Sequence, residues 1–166
     1  MKKQAFNILK VVVIFISSIF MFTACTQSQL SSDNVSIVVG QVHMTEWFNF
    51  TIHSITQVTQ FEGHEAPYGH LLWLADITQT NTWPHEAIPM GTFDWYMDGD
   101  GLPNFVYPHV PFTESMMPSL FWLERNQSER YYMLFEIPAN ISNLTLNYTE
   151  FSEQQEIGRT FSLSIN

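Results

Sequence analysis

Residues 48–53 read Phe-Asn-Phe-Thr-Ile-His, with apolar side chains at Phe48, Phe50 and Ile52 and polar ones at Asn49, Thr51 and His53. A period of two sends alternate side chains to opposite faces of an extended chain, so this stretch predicts a half-buried strand. The same alternation recurs at Tyr131, Met133, Phe135 and Ile137, at Leu144, Leu146 and Tyr148, and at Phe161, Leu163 and Ile165. Helical spacing is almost absent. Ser36 to Gly40 and Leu71 to Ile77 read as further strands, the latter apolar on both faces and therefore central. Phe93 to Met97 and Asn104 to Tyr107 flank Asp98-Gly99-Asp100-Gly101, a hairpin signal because glycine tolerates positive φ. About eight short strands of this kind predict an all-β, antiparallel sandwich of one domain. Three loops are long, Gln60 to His70, Asn81 to Gly91 and Pro108 to Asn126, and the last is expected to hold a short helix over Ser119 to Leu123.

The 166-residue chain is 45% hydrophobic and 13% charged, too apolar for a disordered segment, and its formal charge is −10. That charge excludes a nucleic-acid partner, which needs clustered Lys and Arg. The single cysteine, Cys25, excludes an intrachain disulfide and a Cys-rich zinc site. It follows Lys2, Lys3 and Lys10, a 12-residue apolar run from Val11 to Phe22, and Thr23-Ala24. A run of that length suits a signal h-region and is short of the roughly 20 residues of a spanning helix. Phe22-Thr23-Ala24-Cys25 resembles the lipobox of bacterial lipoproteins, with Phe22 where leucine is usual. The resemblance implies cleavage after Ala24 and a diacylglycerol thioether on Cys25, an anchor worth about 0.8 kcal/mol per buried methylene. A plain secretory signal or an uncleaved anchor helix are the other readings of this segment. Cleavage at Ala24 would leave three arginines, Arg125, Arg130 and Arg159, against 16 acids, a formal charge of −13. The expected organisation is a signal peptide over 1–24, a lipidated cysteine and polar tether over 25–35, and a sandwich over 36–166.

The order Val39-Gly40, Phe50-Thr51-Ile52, Thr78-Gln79-Thr80-Asn81, Phe93 with Asp98 and Gly101, Phe135-Glu136-Ile137-Pro138 and Leu144 with Asn147-Tyr148 resembles the DUF4352 family over residues 36–165. Glu124-Arg125-Asn126-Gln127 departs from the Pro-Gly turn usual there, and the loop before it is longer. The resemblance implies an immunoglobulin-like sandwich on a secreted or lipid-anchored protein, and it supplies no catalytic residues.

Chemical motifs are sparse. Aligning Asp98-Gly99-Asp100-Gly101 on an EF-hand glycine puts Tyr96 and Tyr107 where carboxylates are required, so the segment reads as a hairpin turn. Glu62, His64, His70 and His85 are the alternative metal set, imidazoles and a carboxylate that suit zinc or copper, but no HExxH is present. His43-Met44 would fit a copper carrier only with ordered His and Met spacing, which the chain lacks. No nucleophile elbow or phosphate loop occurs, and no cofactor is expected. Asn49, Asn126, Asn140, Asn143 and Asn147 begin Asn-x-Ser/Thr triplets, read as chance in a strand-rich chain. Trp83, Phe121 and Trp122 lie in long loops and are the candidate partner contacts, set against the alternative that they fold back as core plugs. The leading reading is a non-enzymatic, lipid-anchored binding module on the extracytoplasmic face, with a protein or cell-envelope ligand. A zinc- or copper-handling lipoprotein or metal-dependent hydrolase, and a surface lipoprotein interfering with phage entry, are the alternatives.

Overall fold

Twelve strands order the described residues: β1 Asn34–Ser36, β2 His43–Met44, β3 Phe48–Val58, β4 Gln60–Phe61, β5 His64–Glu65, β6 His70–Asn81, β7 Ile88–Gly91, β8 Trp95–Asp100, β9 Leu120–Leu123, β10 Ser128–Pro138, β11 Ser142–Thr149 and β12 Thr160–Ile165. The computed structural model describes residues 34–150 and 158–165, all within the compact unit Ser32–Asn166. The signal segment, Cys25 and most of the tether lie outside the described residues.

Two four-stranded sheets face each other, one ordered β1-β12-β11-β8 and the other β10-β6-β3-β2. Inward residues of both interdigitate, as the alternating sequence requires. Phe50 is the hub, with the rings of Trp95 and Phe161 edge-on to it at 5.2 and 5.4 Å and Tyr148 at 5.8 Å. Edge-to-face pairs add about 0.5–1.5 kcal/mol each beyond the area they bury, so this cluster ties the two sheets together.

The fold is the expected all-β sandwich, with four local corrections. β1 runs parallel to β12, Asn34 opposite Thr160, the one parallel strand pair among the described residues. The first strand ends at Ser36, where Ser36 to Gly40 was expected, and Gly40 turns the chain at φ +80°. The Phe93 to Met97 strand starts at Trp95 and runs through Asp100, leaving Phe93 exposed. The expected helix over Ser119 to Leu123 is instead the strand β9 from Leu120: it pairs antiparallel with β7, Pro89 opposite Trp122 and Gly91 opposite Leu120. Alternation explains that outcome, since Leu120 and Trp122 are exposed while Leu123 is fully buried, a period of two.

The long loops are structured because sheet β10-β6-β3-β2 is apolar on its outer face too. A bulge at His53 shifts β3 relative to β6, so Ile55 turns back to the core and Val58 packs outward with Phe61, Leu72, Leu74, Met116 and Leu134. Residues 60–65 form a hairpin whose two turn residues both have positive φ, Glu62 at 46° and Gly63 at 86°, the arrangement of a type I′ turn. Residues 109–117 then run beside the edge strand β10. The His109 N–H donates to the Leu134 carbonyl at 2.7 Å, Met117 N–H to Tyr132 at 2.9 Å and Tyr132 N–H to Ser115 at 3.0 Å. This backbone pairing closes an edge that would otherwise template aggregation.

Candidate functional site

The end of the sandwich where β3 begins and β6 and β11 finish opens into a cleft of about 140 Å³. Its walls include Trp47 and Phe48, Gln79, the β7 segment Ile88–Gly91, Asp94 and Trp95, and Tyr148–Glu150. That volume is close to that of an engineered cavity known to accept a benzene-sized ring.

Its polar groups set it apart from ordinary core. Gln79 points inward by the alternation of β6 and is 1% exposed, and neither its Oε1 nor its Nε2 has a hydrogen-bond partner among the described residues. The indole Nε1 atoms of Trp47 and Trp95 are likewise buried and unpartnered among the described residues. An unsatisfied buried polar group costs about 1–3 kcal/mol, so native proteins keep few of them without a use. Here they cluster: of seven such atoms, four belong to three residues lining this one cleft.

The acids of the cleft differ in state. Glu150 is 4% exposed and fully engaged: Arg159 donates to its Oε2 from Nε at 2.9 Å and Nη2 at 2.7 Å, and the Glu46 N–H donates to its Oε1. Asp94 has an exposed side at the mouth, yet crowding by the walls pushes its carboxyl above the usual range. Burial, then the carboxylates of Asp94 and Glu150, push the Tyr148 phenol up, against a smaller opposing effect of Arg159. With aromatic walls and an acid at the lip, the cleft suits a neutral or cationic ring, and it disfavours anions.

None of the three aromatic residues singled out in the sequence lines this cleft, although Trp83 packs on a residue that does. Trp83 stacks on Trp47 with centroids 5.4 Å apart and planes 18° from parallel. It is held by fully buried Asn81, whose Oδ1 accepts the Trp83 N–H at 2.8 Å and whose Nδ2 donates to Leu123 and Glu86 carbonyls. Trp122 stands 64% exposed on the outer face of the β7–β9 hairpin, whose β7 strand is a cleft wall. Phe121 turns the other way and packs edge-on against Tyr131 at 5.3 Å.

The alternative metal set is not brought together as a group. Glu62 accepts a hydrogen bond from Ser115 at 2.6 Å, which with Thr113 lowers its pKa, and His85 lies against Trp83 at 5.2 Å. His70 pairs with Pro138 at the start of β6. His64 instead meets His109 and Glu136, residues outside that set. His43 and Met44 face opposite ways, His43 buried against Phe50 and Met44 exposed. Asp98 accepts the Gly99 N–H and Asp100 accepts Asn143 Nδ2, so the hairpin acids are engaged separately. Gln79 and Trp47 were given no site role by sequence reasoning, and Asp94 was considered only as an acid/base partner of Asp98 and Asp100, from which it stands apart here as a cleft residue. The available signal was a glutamine at an inward position of a central strand.

No protein-family model matches this sequence, and no curated protein does. Three solved structures share its architecture. The yjhA protein of Bacillus subtilis superposes with a TM-score of 0.60 at 12% identity over 78% of this chain and 99% of its own. A β-sandwich protein of Clostridium difficile gives 0.56 at 10% identity over 81% and 96%. The candidate lipoprotein ycdA of Bacillus subtilis gives 0.57 at 12% identity over 75% of this chain, which spans 38% of ycdA's length. At these identities the likeness is one of fold, and the chain is a β-sandwich of the kind these bacterial proteins share.

Proposed function

We propose that the chain is a lipid-anchored, extracytoplasmic binding module of the DUF4352 type that takes a small ring or side group of a cell-envelope ligand into the cleft between Trp47, Gln79 and Trp95. It works without catalysis, and Cys25 carries the lipid. The observation that carries the binding reading is the gathering of unpartnered buried polar atoms of Trp47, Gln79 and Trp95 around one cleft. Trp83 backs the cleft wall, while Trp122 and the exposed Leu120 and Phe93 offer apolar area beside it for the rest of the ligand. The −13 charge expected after cleavage keeps the domain off anionic headgroups within a Debye length, leaving its surface free for envelope contacts.

Titration of the full chain with soluble glycan and peptide fragments of the cell wall, followed by tryptophan fluorescence, tests the reading. A saturable change that Gln79→Met abolishes is expected. The absence of any saturable change at millimolar fragment, or an unaltered response in Gln79→Met, would overturn it. For the anchor, labelled palmitate incorporation should disappear in Cys25→Ala.

A further inference from the structure

At the other end of the same sheet the geometry points to a divalent transition-metal site formed by His64, His109 and Glu136. Their ligating atoms all lie within 4.8 Å of one another. His109 Nε2 is 3.3 Å and His64 Nε2 3.9 Å from the same oxygen, Glu136 Oε2. Tetrahedral zinc with bonds of about 2.0–2.2 Å separates neighbouring ligand atoms by about 3.3–3.5 Å. Of the three pairs, His109–Glu136 already has that spacing, His64–Glu136 needs a shift of about half an ångström, and His64–His109, within 4.8 Å, closes by a turn of the imidazoles about the shared ion.

An imidazole–carboxylate hydrogen bond needs only one histidine, and His109 supplies it. The second imidazole is the unexplained part. His64 Nε2 is shielded from solvent and has no hydrogen-bond partner among the described residues, although it is aimed at the oxygen His109 already holds. A shared cation satisfies all three atoms together.

Each ligand comes from a separately fixed segment. His64 follows the type I′ turn of β4–β5, His109 is set by its N–H bond to the Leu134 carbonyl, and Glu136 lies outward on β10 opposite Leu72. Phe112 packs on His64 at 5.4 Å, and the two imidazoles sit 4.8 Å apart. Preorganisation of this kind is what a metal site needs from its scaffold. The side chains of His64, His109 and Glu136 are 31%, 33% and 25% exposed, so a fourth position faces water. Two imidazoles and a carboxylate select borderline cations such as Zn²⁺ and Cu²⁺ over Mg²⁺ or Ca²⁺, with Cu²⁺ the tighter.

The test is calorimetric titration of the chelator-treated full chain with ZnCl₂, alongside CoCl₂ followed by visible absorption. One equivalent of Zn²⁺ and an intense tetrahedral Co²⁺ spectrum are expected, with about tenfold or greater weakening in His109→Ala and in Glu136→Gln. His85→Ala should bind as the parent does. Binding well below one equivalent, or equal binding in both ligand variants, would overturn the site. Should those variants unfold, Cu²⁺ broadening of histidine ring protons in the parent decides it. The signals of His64 and His109 must broaden first, and earlier broadening of His43, His53 or His85 refutes the assignment.

Discussion

Trp47 and Trp83 lie face to face at 5.4 Å, one lining the cleft and the other behind it in the loop that Asn81 organises. The cleft wall at Trp47 is thereby packed against a residue that does not itself line the cleft. Trp83→Ala should lower stability by about 1 kcal/mol through the lost stack and weaken fragment binding as Trp47 gains freedom. Urea denaturation and the fluorescence titration read the two effects, and a variant that binds as tightly as the parent would refute the coupling.

Gln79→Met removes two unpartnered polar atoms at nearly constant volume from a position 1% exposed. Stability should rise by about 1–2 kcal/mol while binding is lost, the opposite of an ordinary core substitution. A fall in the urea midpoint would show that the amide is satisfied in a way these contacts do not reveal.

Gly91 has no room for a side chain: a Cβ there would stand 2.3 Å from the Ser119 carbonyl oxygen, which is backbone. Gly91→Ala should push β9 away from β7 and destabilise by about 1–3 kcal/mol. Faster amide exchange over Leu120–Leu123, with the core strands unchanged, is the expected signature.

Asp76 is 7% exposed on the outer face of β6 and accepts two hydrogen bonds from Arg130, 2.8 Å from Nε and 2.5 Å from Nη2. Those bonds and the nearby guanidinium charge outweigh desolvation and hold its carboxyl below the usual range. A carboxyl depressed in the folded state binds fewer protons there than in the unfolded chain, so stability rises with pH through that window. The contribution is complete above the ordinary carboxylate range and is lost as pH falls through the depressed value. Arg130→Ala should flatten this acid limb in denaturation curves taken from pH 2 to 6, and an unchanged slope would assign the acid sensitivity elsewhere.

Strand content was legible wherever one face of a strand is buried and the other wet, as at Phe48–Ile52 and Leu144–Tyr148, because period two is then written directly in polarity. It was obscured over Ser119–Leu123, where exposed Leu120 and Trp122 beside inward Phe121 and Leu123 make four consecutive apolar residues that fit helix or strand equally. The Glu62-Gly63 turn was hidden by glutamate in a position that Asn or Asp usually fills. Among the aromatic candidates Trp83, Phe121 and Trp122 stood out by type, but none lines the cleft, and only Trp83 stacks on, and Trp122 pairs across from, residues that do. Gln79 did not stand out, because its significance lies in the partners it lacks. His64 was visible but its companions were not, since His109 and Glu136 are 45 and 72 positions away and meet it only through the packing of loop 109–117 on β10.

The parallel register of β1 on β12 has a steric consequence. Asn34 pairs with Thr160, which pairs in turn with Thr149, a residue of the cleft. The sandwich therefore begins at its cleft end, whereas Glu136 is opposite Leu72, seven residues along β6 from Gln79 and so about 23 Å away. Bulk attached at Asn34 would compete for space with a ligand in the cleft while leaving the His64–His109–Glu136 end accessible, so each end of the domain can be blocked or reported on without disturbing the other.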